Sequence, residues 1–319
     1  MLGYIFRRII QSVIVIVGVI LIVFLLSKLI PGGEAAAALG PRRTAVNVAN
    51  FNRTNGLDLP LYDQFWRYIW GLGRHLDLGY SFKNNEGVKE LISQRLPKTL
   101  TLVGASTLVA LVIAVPLGIL QVVRRYSPID YVLTSLSFIF YATPAFLLGF
   151  LLILYFSFDF HLFPVSPPIG SGGWTILTDP RAFVMPVVSL SALTIASFSR
   201  YMRSSMMDAL AEDYIRTARA KGASSNRVLY GHALRNALIP ILTLIGLSLP
   251  AIASGALITE TVFNYPGMGL LTVQAAGNDD IPTILGTTLV ITVFTVAGSL
   301  LADILYAVAD PRIRLGSTT

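Results

Sequence analysis

The side chains best placed to act on something outside the chain lie in one stretch, RYMRSSMMDALAEDYIRTARAKGASSNRVLYGHALRNALIP. Seven cations (Arg200, Arg203, Arg216, Arg219, Lys221, Arg227, Arg235) are interleaved there with Asp208, Glu212 and Asp213. Clustered positive charge on a water-exposed element makes no bonds; it recognises and orients a partner. The groups that would do covalent chemistry are missing. There is no cysteine, hence no thiolate, disulfide or cysteine metal site. His75, His161 and His232 are far apart, and no HExxH or GxSxG occurs. Lys98 is the only lysine followed by Ser or Thr, and Pro97 before it excludes a GxxxxGK[ST] phosphate loop. The chain reads as a non-enzyme with no cofactor or metal of its own.

The cationic stretch has the local signals of a helical hairpin, bounded at 205–236. Good helix formers run from Ala211 to Lys221, and Glu212 precedes Arg216 by four residues as a supporting pair. Gly222 suits a C-terminal position with φ > 0. Ser224 or Ser225 suits the N-cap of a second helix that runs to about Asn236. The turn near 219–226 would protrude furthest. A loop that merely sets membrane orientation explains the charge, but not the length or the caps.

On either side of the hairpin lie hydrophobic segments. Mean hydropathy is +0.68, apolar residues make up 54 % and charged residues 13 %. A net charge of +7 reads as cations flanking membrane spans, not as a nucleic-acid surface, because no aromatic–basic stripe accompanies it. A bilayer core of about 30 Å needs about 20 apolar helical residues. Six charge-free segments qualify: 9–27, 99–123, 131–158, 182–199, 236–259 and 281–302. Stretches 160–178 and 261–278 are also uncharged but broken by Pro, Gly and Asn. Backbone interrupted that often cannot satisfy its hydrogen bonds in lipid, so both read as loops, the second with room for a short helix. Arg7 and Arg8 before the first run resemble a signal peptide, but the run is long and no small-residue cleavage site follows, so it reads as a retained anchor.

These segments divide the chain into an N-terminal transmembrane helix (1–30), an extracytoplasmic loop unit (31–98) and a five-helix core (99–319) that includes the hairpin. Arg7, Arg8, Arg124, Arg125, the hairpin cations, Arg312 and Arg314 share one side; the opposite short loops hold only Arg181. The positive-inside rule then puts both termini in the cytoplasm. In the loop unit, FWRYIWGL (65–72) reads as an amphipathic helix lying on the membrane surface rather than a substrate site. GVKELISQRL (87–96) reads as a second short helix ended by Pro97, which starts the next span. Ionisable residues are absent from span centres, with Asp303 near an inner end. That argues against an ion-coupled pump. Gly104, Gly118 and Gly149 suit close helix packing, and Pro116, Pro144, Pro186 and Pro250 suit kinks. A self-sufficient carrier would need coupling charges or repeats, and an intramembrane enzyme would need a nucleophile or metal motif; neither set is present.

Several stretches resemble one family in order along nearly the whole chain: YIFRRIIQ…VFLLSKLIPGG, NGLDLPLYDQFWRY, DLGYSF, ISQRLPKTL, PAFLLGFLLILYF, FPVSPPIG, EDYIRTARAKGAS…HALRNALIPILT and ITETVFNYPGMGLL. They are similar to the B-type membrane permeases of ABC importers for dipeptides, oligopeptides or nickel. The usual coupling-loop pattern of ABC permeases is met only at Ala218, Gly222 and Leu234; the rest follows this subfamily's variant. The resemblance implies an all-α membrane protein with six transmembrane helices, a type I importer core and a cytoplasmic coupling hairpin between spans four and five. It implies a bacterial or archaeal cytoplasmic membrane, a second paralogous permease as heterodimer partner, two ATPase subunits that bind ATP and Mg, and an extracytoplasmic binding protein delivering peptide. Arg216, Thr217, Ala218, Arg219, Ala220, Lys221, Gly222, Ala223, Ser224 and Arg227 would couple to the ATPases. Glu260, the first charge after an uncharged span, would with Phe263, Tyr265 and Pro266 form an external gate that contacts the binding protein or the partner permease; Phe263 and Tyr265 would equally suit an interfacial anchor. Peptide is favoured over nickel because no His/Cys/Asp cluster exists; haem or another small solute remains the alternative cargo.

Overall fold

A computed structural model describes residues 2–167, 180–254 and 257–309. Arg312, Arg314 and most of the 160–178 loop fall outside them. Helix α1 (Leu2–Ser27) is followed by the loop unit: α2 (Gly33–Leu39), a 3-10 turn, α3 (Ala45–Asn55), α4 (Leu61–His75) and a hairpin of β1 (Tyr80–Ser81) with β2 (Glu86–Gly87). The hairpin is antiparallel, with Tyr80 opposite Gly87 and Ser81 opposite Glu86. Helices α5 (Val88–Val123), α6 (Pro128–Ala142), α7 (Ala145–Leu152), α8 (Pro180–Ala211) and α9 (Asp213–Ala220) follow. A π-helical turn (Arg227–Ala233) leads into α10 (Leu234–Ser254), then α11 (Leu257–Val262), α12 (Met268–Gly277) and α13 (Ile281–Ala309).

Among the described residues, four helical segments are long and apolar enough to cross a membrane: Arg7–Ser27, α5, α8 and Ile281–Leu300. The pair Pro128–Ala142 and Ala145–Asp159 counts as a fifth if taken as one broken span. It is bent by 101°, a sharper break than the kink at Pro144 that the sequence suggests within one span over 131–158. The bend follows from Pro144, whose ring disfavours a helical residue before it. Thr143 is accordingly extended, at φ −74 and ψ 125.

Pro97 does the opposite of what its position suggests. It neither ends a short helix nor starts a new one; α5 runs through both Pro97 and Pro116 for 36 residues. Pro97 and Ser93 are exposed, so the Ser93 carbonyl that loses its i+4 donor can turn to solvent. At about 1.5 Å per residue, α5 is roughly 54 Å long, well beyond the bilayer core, so its first turns belong to the loop unit. The 261–278 stretch holds the short helix it has room for, α12, which buries Met268, Gly269, Leu270, Leu271 and Ala275.

Helices α5 and α8 pack along their lengths at the centre of the bundle, and α10 packs on α13 and α8. Among the described residues several apolar clusters fill the interior. One, at the hairpin end, joins Ile119, Met202, Met206, Ile215, Val228, Ala233 and Ile241. At the loop-unit end, Ile20, Leu78, Val88, Leu91, Met268 and Leu289 form a second cluster. Leu102, Ile153, Phe183, Met185, Phe263 and Tyr265 form a third. Large apolar side chains such as Val13, Ile14, Val112, Val132 and Ile139 stay exposed, as lipid-facing positions must.

Helices α5 and α8 approach closely at Gly118, where an added Cβ would lie 2.6 Å from Met202 Cβ and 2.9 Å from the Ser199 carbonyl. Gly118→Val should separate the two helices and cost about 1–3 kcal/mol by overpacking. Gly104→Ala, with nothing within 4 Å of the new Cβ, should be neutral. Thermal unfolding of the purified protein in detergent checks both; equal melting temperatures would refute the close-packing assignment.

Candidate functional site

At the hairpin end the chain leaves the bundle abruptly. Glu212 is extended (φ −68, ψ 150) and separates α8 from α9, so the predicted helix from Ala211 starts at Asp213 instead. Arg216 pairs with Asp213 at 3.3 Å, not with Glu212. Both partners are exposed, so this pair adds little stability. The turn is closed by backbone geometry. Gly222 has φ +80; its N–H donates to the Arg219 carbonyl at 2.9 Å, and the Ala223 N–H donates to the Ala218 carbonyl at 3.1 Å. These are the two bonds of a Schellman motif, and a residue with a Cβ would be strained there. Ser224 stands at the N-cap position of the second helix, its carbonyl accepting from the Val228 N–H at 2.9 Å.

One face of the hairpin is locked down. Ile215, Val228 and Ala233 are buried against Met202 and Met206 of α8 and Ile119 of α5. The other face is open. Arg216, Thr217, Arg219, Ala220, Lys221, Gly222, Ser224 and Arg227 are exposed, with Ala218 and Ala223 half-buried between them. A shallow cleft there is lined by Tyr214, Thr217, Ala218, Lys221, Gly222, Ala223, Arg227 and His232. The predicted coupling residues are therefore brought together on one surface.

Two cations of the stretch belong elsewhere. Arg200 stacks over Tyr141 at 4.1 Å and Phe138 at 5.3 Å. Arg203 pairs with buried Asp130 at 3.0 Å. Asp130 also accepts from the Tyr126 N–H at 3.1 Å and the Thr134 hydroxyl at 3.3 Å. Sequence reasoning passed over Asp130, which stands one residue before an apolar run; its single legible signal is Ser127, whose hydroxyl accepts from the Asp130 N–H as an N-cap.

At the opposite end, the expected gate residues do not form an exposed surface. Glu260 and Phe263 are 0 % exposed and Tyr265 1 %; Pro266 is half-buried. They sit inside the protein because α12 lacks its own cap. Its N-cap, Gly267, has no side chain, and the N–H groups of the first turn need acceptors. The Glu260 carboxylate supplies them, accepting from the Leu270 N–H at 3.1 Å and also from Gly269. Thr99 of α5 completes the set: its hydroxyl donates to Glu260 at 2.7 Å and accepts from the Met268 N–H at 2.7 Å. Nearby, the Tyr265 hydroxyl donates to the Lys98 carbonyl at 3.0 Å, and its ring meets Phe183 edge-on at 5.4 Å.

The result is a clamp between α5, α11 and α12. An added Cβ would lie 2.5 Å from the Glu260 carboxylate at Gly267, and 2.7 Å from Leu257 Cα at Gly269, so both glycines are needed for the close approach. Burial pushes the Glu260 carboxyl above its ordinary range, while the Thr99 and backbone donors and the Arg95 charge pull it back. Burial, with the Glu260 charge, also raises the Tyr265 hydroxyl. A second tie is made by buried Asp280, which accepts from Ser81 at 2.5 Å and Thr283 at 2.8 Å and so pins the β-hairpin to the start of α13. Neither Thr99 nor Ser81 was legible as a partner, since each lies well over a hundred residues from its carboxylate. Among the described residues no group of three or more His, Cys, Asp or Glu side chains could hold a metal ion.

An apolar bundle with four helices long enough to cross a membrane, or five with the bent pair, defines the class as a multi-pass membrane protein. Residues 114–315 match the family described as "Binding-protein-dependent transport system inner membrane component", and residues 1–103 match its N-terminal companion. The chain belongs to this family of ABC-transporter permeases. It is 39 % identical over 320 residues to the oligopeptide transport system permease protein AppB of Bacillus subtilis, covering 98 % of this chain and 99 % of that one. It is 34 % identical over 341 residues to the dipeptide transport system permease protein DppB of Escherichia coli, again over 98 % and 99 %. It is 36 % identical over 324 residues to the probable D,D-dipeptide transport system permease protein DdpB of Escherichia coli, over 95 % of each.

If Glu260 and Thr99 act as one unit, their effects on stability should not add. Glu260→Ala should cost about 1–3 kcal/mol by leaving buried N–H groups unpaired. Thr99→Val should cost a similar amount alone and much less in the Glu260→Ala background. A melting-temperature cycle over the four proteins checks this; strict additivity would refute the clamp.

Proposed function

We propose that this chain is the membrane permease subunit of an ATP-driven importer that takes up di- and oligopeptides. The observation that carries the reading is the hairpin. Its outer face, Arg216 to Arg227, is exposed on a turn closed at Gly222, while its inner face is locked to α8 and α5 through Ile215 and Val228. A rigid, protruding, cationic element without a nucleotide motif is built to be pushed by something else. The peptide cargo is supported by the named transport of the relatives, which match this chain over nearly full length.

In this reading α10, 21 residues long, is the fifth span in chain order and brings the total to six, both termini and the hairpin are cytoplasmic, and the membrane is the bacterial or archaeal cytoplasmic membrane. A paralogous permease forms the other half of the path. Two ATPase subunits, holding ATP and Mg, seat against the two hairpins, and an extracytoplasmic binding protein delivers peptide at the opposite end. Closure of the ATPases draws the hairpins together. Because the hairpin core is continuous with α8 and α10, the displacement passes into the bundle instead of being absorbed in the turn. The Glu260 clamp is the external gate: it moves α11 and α12 with α5, and acts from inside the protein without touching the binding protein.

Two experiments test this. Gly222→Trp should insert at normal levels, lose co-purifying ATPase subunits, and reduce ATP-dependent peptide uptake into vesicles at least tenfold; wild-type co-purification would sink the coupling role. The second uses the absence of native cysteine. In intact cells, a cysteine at Asn84 should react with a membrane-impermeant thiol reagent and one at Ser225 should not. Labelling at Ser225 would reverse the topology.

A further inference from the structure

Helix α4 presents two aromatic faces, and only one is used inside the protein. Phe65 and Tyr68 pack on Phe24, Ile281 and Leu285, and Ile69 and Leu72 join the cluster of Ile20 and Leu78. The apolar face that the sequence assigns to the membrane surface thus docks on α1 and α13. The flank carries a second set. Trp66 and Trp70 are 64 % and 52 % exposed and stack with ring centroids 6.4 Å apart. The Arg74 guanidinium lies over Trp70 at 4.6 Å. The spacing is one helical turn from each to the next, so the three form a ladder.

The docking contacts set the depth of this ladder. The Phe65 ring is 5.4 Å from Phe24, one turn before Lys28, the first charge after the apolar run of α1. Ile281 and Leu285 open α13. Helix α4 therefore crosses the ends of two spans, where hydrocarbon gives way to headgroups. At the same end of α1, Leu25 and Leu26 are exposed, as the lipid-facing end of a span would be. Indole rings favour this zone, with an apolar body and a polar edge. A stacked guanidinium at the same level is placed to meet lipid phosphate.

We propose that Trp66, Trp70 and Arg74 seat the loop unit in the bilayer headgroup region of the leaflet on its own side. The occupant is lipid and not a protein partner, because docking on Phe24, Ile281 and Leu285 holds the ladder at the level where both spans leave the hydrocarbon, the zone that indole rings favour. The proposal rests on the chain crossing the membrane, not on its cargo.

Single cysteines at Trp66 or Trp70, carrying a nitroxide, report the environment in the assembled transporter in phosphatidylcholine/phosphatidylglycerol nanodiscs. Leu21 serves as the lipid reference and exposed Arg53 as the aqueous one. Both positions should favour collision with oxygen over a water-soluble nickel chelate, with a ratio several-fold above that at Arg53. A ratio equal to that at Arg53 would place the ladder in water and overturn the proposal. Low access to both reagents would place it under a protein partner and overturn it equally. A label-free measurement guards against misfolded variants. Brominated lipid should quench the native protein's tryptophan emission more than that of Trp66→Phe/Trp70→Phe; equal fractional quenching would overturn the assignment.

Discussion

Backbone hydrogen bonds have no solvent to turn to in hydrocarbon, and the rest of this structure follows from that constraint. Continuous helices meet it directly, and α5 stays helical through two internal prolines, each of which removes one backbone donor. Wherever the helices break, protein or water takes up the freed groups. At Thr143 the hydroxyl donates to the Ile139 carbonyl at 2.7 Å as the chain turns into α7. The backbone N–H groups at the start of α12 find a carboxylate and a hydroxyl from distant elements. At the hairpin tip, Gly222 allows the two Schellman bonds to close the turn.

The same constraint decides where charge is placed. Isolated charge within the bundle is costly, so the buried carboxylates described here are each enclosed by donors. Asp130 is neutralised by Arg203, and Glu260 by the positive end of α12 and Thr99. These groups hold helices together at the two ends. The cations that face outward, from Arg216 to Arg227, are exposed, and the Arg216 pair with Asp213 lies at the surface. The proposed function would use this division: rigid joints at both ends, and a separate surface for a partner to engage.

The sequence by itself determined a good deal. Hydropathy located the apolar segments. The chain carries no recognised nucleotide, metal or nucleophile motif. The φ > 0 requirement singled out Gly222, because turn chemistry is local and glycine is the residue that meets it without strain. Family membership was legible in the same way, from ordered motifs such as EDYIRTARAKGAS and ITETVFNYPGMGLL.

What only the tertiary structure decided is which polar groups meet. Glu260 looked like a boundary charge because it follows an uncharged run, but its neighbours in space, Thr99 and Leu270, make it a buried cap. Arg203 looked like part of the cationic surface until Asp130 was placed beside it. The aromatic residues of α4 divided between protein and outside only once α1 and α13 were in position. Periodicity and turn signals depend on residues a few positions apart. Pairing across the bundle depends on how helices far apart in the chain are set against each other, and no local spacing encodes that.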